Sequence, residues 1–471
     1  MAKTHAIVIG GSMAGLSAGR VLSDFFDQVT VIDRDAYPEG ALERPGVPQS
    51  RHVHALLARG RQELDGLFPG FSQVMCEGGV HELDFPSSFA TLRPTGWAPR
   101  ANNRLPLFFA SRAQIEATVR GLFRKLPNVT LLERTTVTGL AATRQDHLTA
   151  TGVHLTPLDG GASITLEADL IVDASGRASK APEWFRELDL TPPQETIVDS
   201  FAGYSSRWFK APDPSRLPRE WWWKGVWIDV KLPENTFAGV LIPVEHGRWL
   251  VTIAGVAKHY PPSDEAGFMA TLPQLRSPII DEMVRLAEPI SPVYSNRAMA
   301  NRFRHYEQWQ ERLDRFIALG DAACAFNPVY GQGMTTGAVS ATILRDCLKQ
   351  GGPTNPDLPQ QFFRAQARFQ QTPWGLATGA DFRFPNTEGQ PSRVSHVIGP
   401  YMETLFQAGD EDSVVRIQVS RVLNMLKMPP ALFAPHIVAR VAWWALKRKL
   451  SRKGEAGYSE PAMPPVLASA G

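Results

Sequence analysis

Two short stretches of this chain carry residue types at spacings that could do chemistry. The first is Phe316-Ile-Ala-Leu-Gly320-Asp321, followed by Asn327-Pro328-Val-Tyr-Gly331-Gln-Gly333-Met334. It reads as an apolar strand, a carboxylate, a rigid loop and a helix start. A carboxylate at Asp321 can accept hydroxyl hydrogens, and Gly320 lets a backbone come close. Pro328 stiffens the loop, and Gly331 and Gly333 remove side chains from beneath any flat group that lies there. The amides of Gly333 and Met334 open a helix whose N-terminus favours negative charge. The second stretch, Gly10-Gly11-Ser12-Met13-Ala14-Gly15, follows the apolar run Ala6-Ile-Val-Ile. It matches a dinucleotide fingerprint at the first and third glycine positions, with Ser12 at the second. Serine is small enough to admit a pyrophosphate and adds a hydroxyl donor. Asp33 ends the next strand, at the offset where a carboxylate meets an adenosine ribose, with Arg34 beside it. Taken as a pair, the stretches suit the two ends of one FAD, whose reduced ring is an anion that a helix end would stabilise.

The elements that must position these residues follow from the hydrophobic pattern. Residues 5 to 35 alternate as strand, helix and strand, with a helix from about Ala14 to Phe25. Helices are expected over Arg51 to Leu67 and Arg112 to Leu126, then a strand over Val129 to Leu132. Short alternating strands between Leu140 and Leu166, turning at Asp159-Gly-Gly161, form an antiparallel insert before the buried strand Leu170-Ile-Val-Asp173. The pattern predicts an α/β chain: a Rossmann-like FAD-binding domain with a parallel sheet and an antiparallel β insert, a second antiparallel β-sheet domain for substrate, and C-terminal helices. The expected boundaries are 1–181 and 301–350 for the two parts of the FAD-binding domain. Residues 182–300 form the substrate-binding sheet, 351–455 a helical region and 456–471 a tail.

Composition excludes several alternatives. The 471 residues are 43% hydrophobic and 20% charged with a formal net charge of +2, which gives no field that calls for nucleic acid. Three cysteines, Cys76, Cys324 and Cys347, have neither paired nor metal-binding spacing, so no metal is expected and a reducing cytoplasm fits best. The start of the chain does not read as a signal peptide, and no apolar run is long enough to span a bilayer. Leu432 to Leu446 is apolar and is followed by Lys447-Arg-Lys449, but membrane association is not favoured over a helix that covers the core.

The chain resembles the FAD-dependent monooxygenases of the aromatic-hydroxylase (PHBH-like) superfamily, and is closest in appearance to the flavin epoxidases of polyether biosynthesis. The resemblance is carried by Val31-Ile-Asp33-Arg34-Asp35, Gly46-Val-Pro-Gln-Ser-Arg51-His52-Val-His54, Ser111-Arg112, Val172-Asp173-Ala-Ser-Gly176-Arg177, Gly247-Arg-Trp249 and Leu319-Gly-Asp321 through Met334. It implies pyrophosphate or ribityl contact by Arg112 and Arg51, adenine packing near Val137, and a turn at Asp173 near the pyrophosphate and the nicotinamide path. It also implies that NAD(P)H supplies electrons, directly or through a separate flavin reductase. O2 then forms a flavin hydroperoxide that passes one oxygen to an apolar secondary metabolite, with alkene epoxidation leading.

Aromatic ring hydroxylation and isoprenoid double-bond reduction are the alternatives, and a membrane-peripheral flavin-binding protein is a distant one. A halogenase fits less well, because Trp221-Trp-Trp-Lys-Gly-Val does not reproduce the Trp-x-Trp-x-Ile-Pro signature. Electrophilic oxygen transfer needs no side-chain nucleophile, so no catalytic side chain is assigned. Tyr204, Trp227, Phe237 and Phe326 are the aromatic candidates for a dry substrate cavity.

Overall fold

The computed structural model describes residues 3–144, 146–297, 299–391, 393–451 and 462–464. Most of the expected tail lies outside the described residues. Five parallel strands form the central sheet: β1 (His5–Ile9), β2 (Gln28–Ile32), β3 (Val129–Leu132), β4 (Leu170–Asp173) and β5 (Phe316–Ala318), in the order β5-β4-β1-β2-β3. Their inner residues are fully buried: Ile7, Val31, Ile171 and Ile317 have no exposed surface. That is what continuous apolar runs produce when helices cover both faces of a parallel sheet.

Register explains how motifs so far apart in sequence can meet. Ile9 pairs with both Ile32 and Asp173, and Asp173 pairs with Ala318. The carboxyl ends of four strands therefore stop at one level, and the turns that follow them, starting at Gly10, Asp33, Ala174 and Leu319, share one edge. This is where open α/β sheets hold ligands. Helix α1 (Met13–Leu22) follows β1, α2 (Arg112–Phe123) precedes β3, and α3 (Gly333–Gly351) follows the turn after β5. A Cβ on Gly337 would stand 3.1 Å from the Cβ of Ala14, so α1 and α3 pack with their first turns in contact.

The insert is the expected hairpin set, Thr135–Arg144, Leu148–Pro157 and Ile164–Glu167, with Gly160 and Gly161 at positive φ in its turn. The middle sheet is larger than the expected 182–300 block. Phe89–Arg93 joins it in parallel with Gly225–Ile228, because its alternating Phe89, Ala90, Thr91 and Leu92 fit both faces. Its antiparallel core is Gly203–Lys210, Arg248–Gly255, Phe237–Val244 and Gly225–Ile228. One face packs Leu241, Val251 and Ile253 against Phe268, Ile280 and Met283 of two short helices. The other carries Trp208, Val240, Ile242 and Leu250 toward the first sheet's loops.

The helix expected from Arg51 starts only at Ala58. Residues 52–57 run between the two sheets instead, with His52 bonded to the middle one. After α3, helix α4 (Leu358–Asp381) returns across the central sheet, where Gln366 Nε2 donates to the Ala318 carbonyl at 3.0 Å. The final helix, Pro435–Ser451, buries Ile437 and Val441, whereas Trp443, Leu446 and Leu450 are exposed. Among the described residues no helix is long and apolar enough to cross a membrane.

Gly15 marks a tight backbone contact in this scaffold, since a Cβ there would stand 1.7 Å from the Gly10 carbonyl oxygen. Gly15→Ala is expected to lower stability by about 2 kcal/mol or more in urea unfolding, as overpacking of a rigid contact does. Gly66→Ala, where a Cβ meets nothing within 4 Å in a helix, serves as control and should be neutral or stabilising by up to about 1 kcal/mol. Equal midpoints for the two variants would show that the contact yields.

Candidate functional site

One cavity of about 510 Å³ runs along the edge where the strands end, within the size range of ligand pockets. Gly10, Ser12, Met13, Ala14, Asp33, Arg34, Arg112 and Val137 line one part of it. Asp321, Phe326, Pro328, Gly331, Gly333 and Met334 line the other, so the two glycine turns open into a common space. Gly15 and Gly320 lie behind the wall as close-packed turn residues. Asp173 is wholly buried, and its carboxylate accepts from Ser175 N at 2.9 Å and Ser179 Oγ at 2.6 Å. It shapes its own turn, and Ala174 to Ala178 supply the lining there.

A buried ion network underlies the first part. Arg44 Nε lies 2.7 Å from Glu116 Oε1, and its Nη1 lies 3.1 Å from Asp33 Oδ2 and 2.8 Å from Asp35 Oδ2. Glu116 Oε2 in turn meets Arg112 Nη2 at 2.9 Å and accepts from Ser12 Oγ at 2.8 Å. The hydroxyl of Ser12 is thus turned toward a carboxylate rather than left free for a phosphate. Asp33 is engaged too: Oδ2 accepts from Gly11 N at 2.8 Å and Oδ1 from Asp35 N at 2.9 Å. Arg44 and Glu116 were not among the sequence candidates. The ions around them hold Glu116 below the usual carboxylate range although burial pushes it up.

Two buried polar atoms in the cavity wall lack partners: Arg112 Nη1 and Gln332 Oε1. Arg112 sits beside Ser12 and Gln332 between the glycines of the second turn. Unsatisfied buried groups are costly unless a ligand meets them. At Gly333 a Cβ would have only Asp321 Oδ1 near it, at 3.5 Å, so a side chain there would occupy the cavity without striking the protein. A phosphate-seeking arginine and a bare, helix-capped cradle in one cavity fit a dinucleotide such as FAD. Burial pushes the Asp321 carboxyl upward, opposed by Arg177, Arg302 and Arg112.

The loop before α3 is fixed from α4, which the sequence did not reveal. Asn301 Oδ1 accepts from Asn327 N at 2.7 Å, which orients that amide so that Nδ2 donates to Asp381 Oδ2 at 2.6 Å. Asn327 Oδ1 accepts from Val329 N, and its Nδ2 donates to Asp381 Oδ1 at 3.2 Å. Tyr330 donates its hydroxyl to the same oxygen at 2.6 Å. All three partners are donors, and Asp381 is 1% exposed, so a carboxylate is the group that satisfies them.

Several expectations need correction. Arg51 is outside the cavity: it ends the short 3-10 turn Pro48–Arg51, pairs with Glu43 at 2.9 Å and stacks over Tyr294. Phe237 belongs to the face of the middle sheet that two helices cover, by the parity that puts Leu241 there. Trp227 is on the site-facing side but packs at the edge with Phe85 and donates to Asp229. Tyr204 is 5% exposed and meets His52 edge-on, one layer behind the wall, so Phe326 is the one aromatic candidate that lines the cavity. His54, in the same extended segment as His52, lines it as well.

No family model matches the chain. It is 32% identical over 443 residues to protein Rv3254 of Mycobacterium tuberculosis, covering 91% of this chain and 92% of that one. It is 24% identical over 364 residues to kynurenine 3-monooxygenase of Salinispora arenicola, covering 74% and 72%. Among solved structures, the flavin-dependent brominase Bmp2 superposes with a TM-score of 0.66 at 13% identity, covering 95% of this chain and 100% of that one. The tetrameric form of 2-methyl-3-hydroxypyridine-5-carboxylic acid oxygenase gives 0.60 at 18% identity, covering 81% and 92%. The fold is the one these flavin-dependent enzymes have, with parallel and antiparallel sheets and C-terminal helices.

Replacing Asp381 by Asn puts an amide donor opposite three donors. Asp381→Asn is therefore expected to cost about 1–3 kcal/mol of stability, and hydrogen exchange should rise at the amides of Asn327 to Gly331 first. Unchanged protection of that loop would refute its dependence on α4.

Proposed function

We propose a reaction from the premise that this chain belongs to one family with protein Rv3254 and to the FAD-dependent aromatic-hydroxylase (PHBH-like) superfamily. It is a flavin-dependent oxygenase that takes electrons from NAD(P)H, directly or through a separate reductase. It transfers one atom of O2 to an apolar secondary metabolite, and alkene epoxidation is the leading outcome. The observation that carries this reading is the single cavity joining both glycine turns, with an unpaired Arg112 guanidinium nitrogen in its wall and the bare cradle of Gly331 and Gly333 in the same space.

When bound, FAD supplies the electron transfer and the oxygen activation. Arg112 would hold the pyrophosphate, backed by Glu116, and the amides of Gly10 to Met13 would add donors at the start of α1. Asp33 keeps room on Oδ1 for one ribose hydroxyl, Arg34 flanks it, and Val137 would pack on the adenine side. Asp321 would accept from the ribityl chain. The Gly333 and Met334 amides would favour negative charge at the ring edge. Pro328 fixes the approach of that loop, and Phe326 helps keep water out.

Epoxidation leads in this reading because an alkene needs no base at the site, and His54, the one of the two histidines that lines the cavity, is a poor one. Burial pushes His52 down to about 3, and burial with the Arg112 charge pushes His54 down to about 4. Neither holds a proton at neutral pH or readily takes one from a phenol, and an alkene needs no such base. Ring hydroxylation remains the second reading, supported by the likeness to kynurenine 3-monooxygenase.

Asp321→Ala is expected to weaken FAD binding about 10–100-fold, the scale of a hydrogen bond to a charged group, measured by flavin retention through gel filtration. Gly333→Val should fold with an unchanged melting temperature yet purify colourless. Stoichiometric FAD in both would overturn the assignment. With the holoenzyme, NADPH alone should bleach the absorbance near about 450 nm if reduction is direct. Product mass decides the reaction: added oxygen supports the proposal, and added hydrogen or halogen refutes it.

A further inference from the structure

The segment Arg51 to Ala55 carries two histidines that the nucleotide-holding residues leave unexplained. His52 is 4% exposed and fixed to the middle sheet. Its Nδ1 lies 2.8 Å from Ser206 Oγ, which lies 2.6 Å from Thr252 Oγ1, and its ring meets Tyr204 edge-on at 4.3 Å. Trp208 Nε1 donates to the Arg51 carbonyl at 3.3 Å. These contacts hold the backbone, and with it the His52 carbonyl, in one place.

His54 Nδ1 lies 2.9 Å from that carbonyl. A carbonyl only accepts, so Nδ1 carries the proton and the neutral ring keeps its lone pair on Nε2. Among the described residues Nε2 has no partner, and His54 lines the cavity. Its neighbour Ala55 faces Gly331, where a Cβ would stand 3.4 Å from the Ala55 Cβ. Residue 54 therefore lies next to the bare cradle, and its ring is also within reach of the Arg112 charge. Because the ring is so weak a base, it accepts a hydrogen bond there without taking up the proton.

We infer that His54 is the specificity-determining residue of the substrate chamber, presenting Nε2 to the hydroxyl of an apolar alcohol whose reactive double bond lies close to that hydroxyl. The inference rests on the monooxygenase reading and narrows it. A pure hydrocarbon would bury Nε2 without a partner, and a group that must ionise would find no base. His52 is a positioning residue, acting through its carbonyl.

The test uses FAD-loaded wild type, His54→Gln and His54→Phe, with two probe pairs: geraniol against geranyl methyl ether, and farnesol against farnesyl methyl ether. Binding is read from perturbation of the flavin spectrum, and FAD content is measured in parallel. In wild type each alcohol is expected to bind about 3–10-fold tighter than its ether, the worth of one hydrogen bond. The ratio should fall to about 1 in His54→Phe and be partly kept in His54→Gln, with FAD content unchanged. Equal binding of alcohol and ether in wild type, no binding of either pair, or a preference that survives in His54→Phe would overturn the proposal. Loss of FAD from His54→Phe alone would assign the residue to the cofactor and overturn it as well. A wild-type protein that takes up no FAD would instead defeat the monooxygenase reading.

Discussion

Glu116 is the carboxylate on which the phosphate side of the cavity rests. It is 4% exposed, projects from α2, and bonds Arg44, Arg112 and Ser12, which come from a loop, from its own helix and from the first βα turn. Around it, Asp33, Asp35 and Glu116 face Arg44, Arg112 and Arg120, all of them buried. Removing one member of such a set leaves an uncompensated charge in low dielectric, at a cost of about 3–5 kcal/mol. The set balances by count, yet one nitrogen of Arg112 has no partner and borders the cavity. The network thus fixes the turns around a single unsatisfied donor.

The opposite end is held by neutral and acidic hydrogen-bond acceptors instead of by paired ions. Asp381 gathers three donors from two other segments, and the amides that face it are oriented by backbone N–H groups of the loop itself. Strand register brings the two ends to one level, and the close approach of α1 to α3 keeps their helix starts side by side. The site is therefore rigid at both ends for different reasons, one electrostatic and one steric and directional.

Much of this architecture was legible in the sequence because it is local. Continuous apolar runs and glycine turns located the parallel strands and the two cavity-lining turns, and period-two alternation the insert, all of which depend on neighbours within a few residues. Parity would also have excluded Phe237, since it shares a face with Leu241 and pairs with Gly255 beside the helix-covered cluster. What stayed hidden depends on long-range partners. Arg44 and Glu116 are 72 residues apart, and Asn327 and Asp381 are 54 apart, with no spacing to announce either pairing. The helix expected over Arg51 to Leu67 begins late because the Ser206 hydroxyl holds His52 on the sheet, and the Arg51 that the resemblance aimed at the cofactor pairs with Glu43. The His52 and His54 pair stood within the family-like stretch, and only the tautomer imposed by a backbone carbonyl shows what the second ring can do.

The contribution of Asp381 also sets an order of assembly during synthesis. The first βα turn and the ribose-side carboxylate emerge early, whereas the loop before α3 gains its three-donor anchor only after residue 381 has been made. At about 5–20 residues per second, that is about 20–80 s of translation. For most of that time the nascent chain lacks the surface that would receive a flat ring. The ring-side loop is consequently the last part of the cleft to gain its anchor, and a chain interrupted before α4 would carry that loop without it.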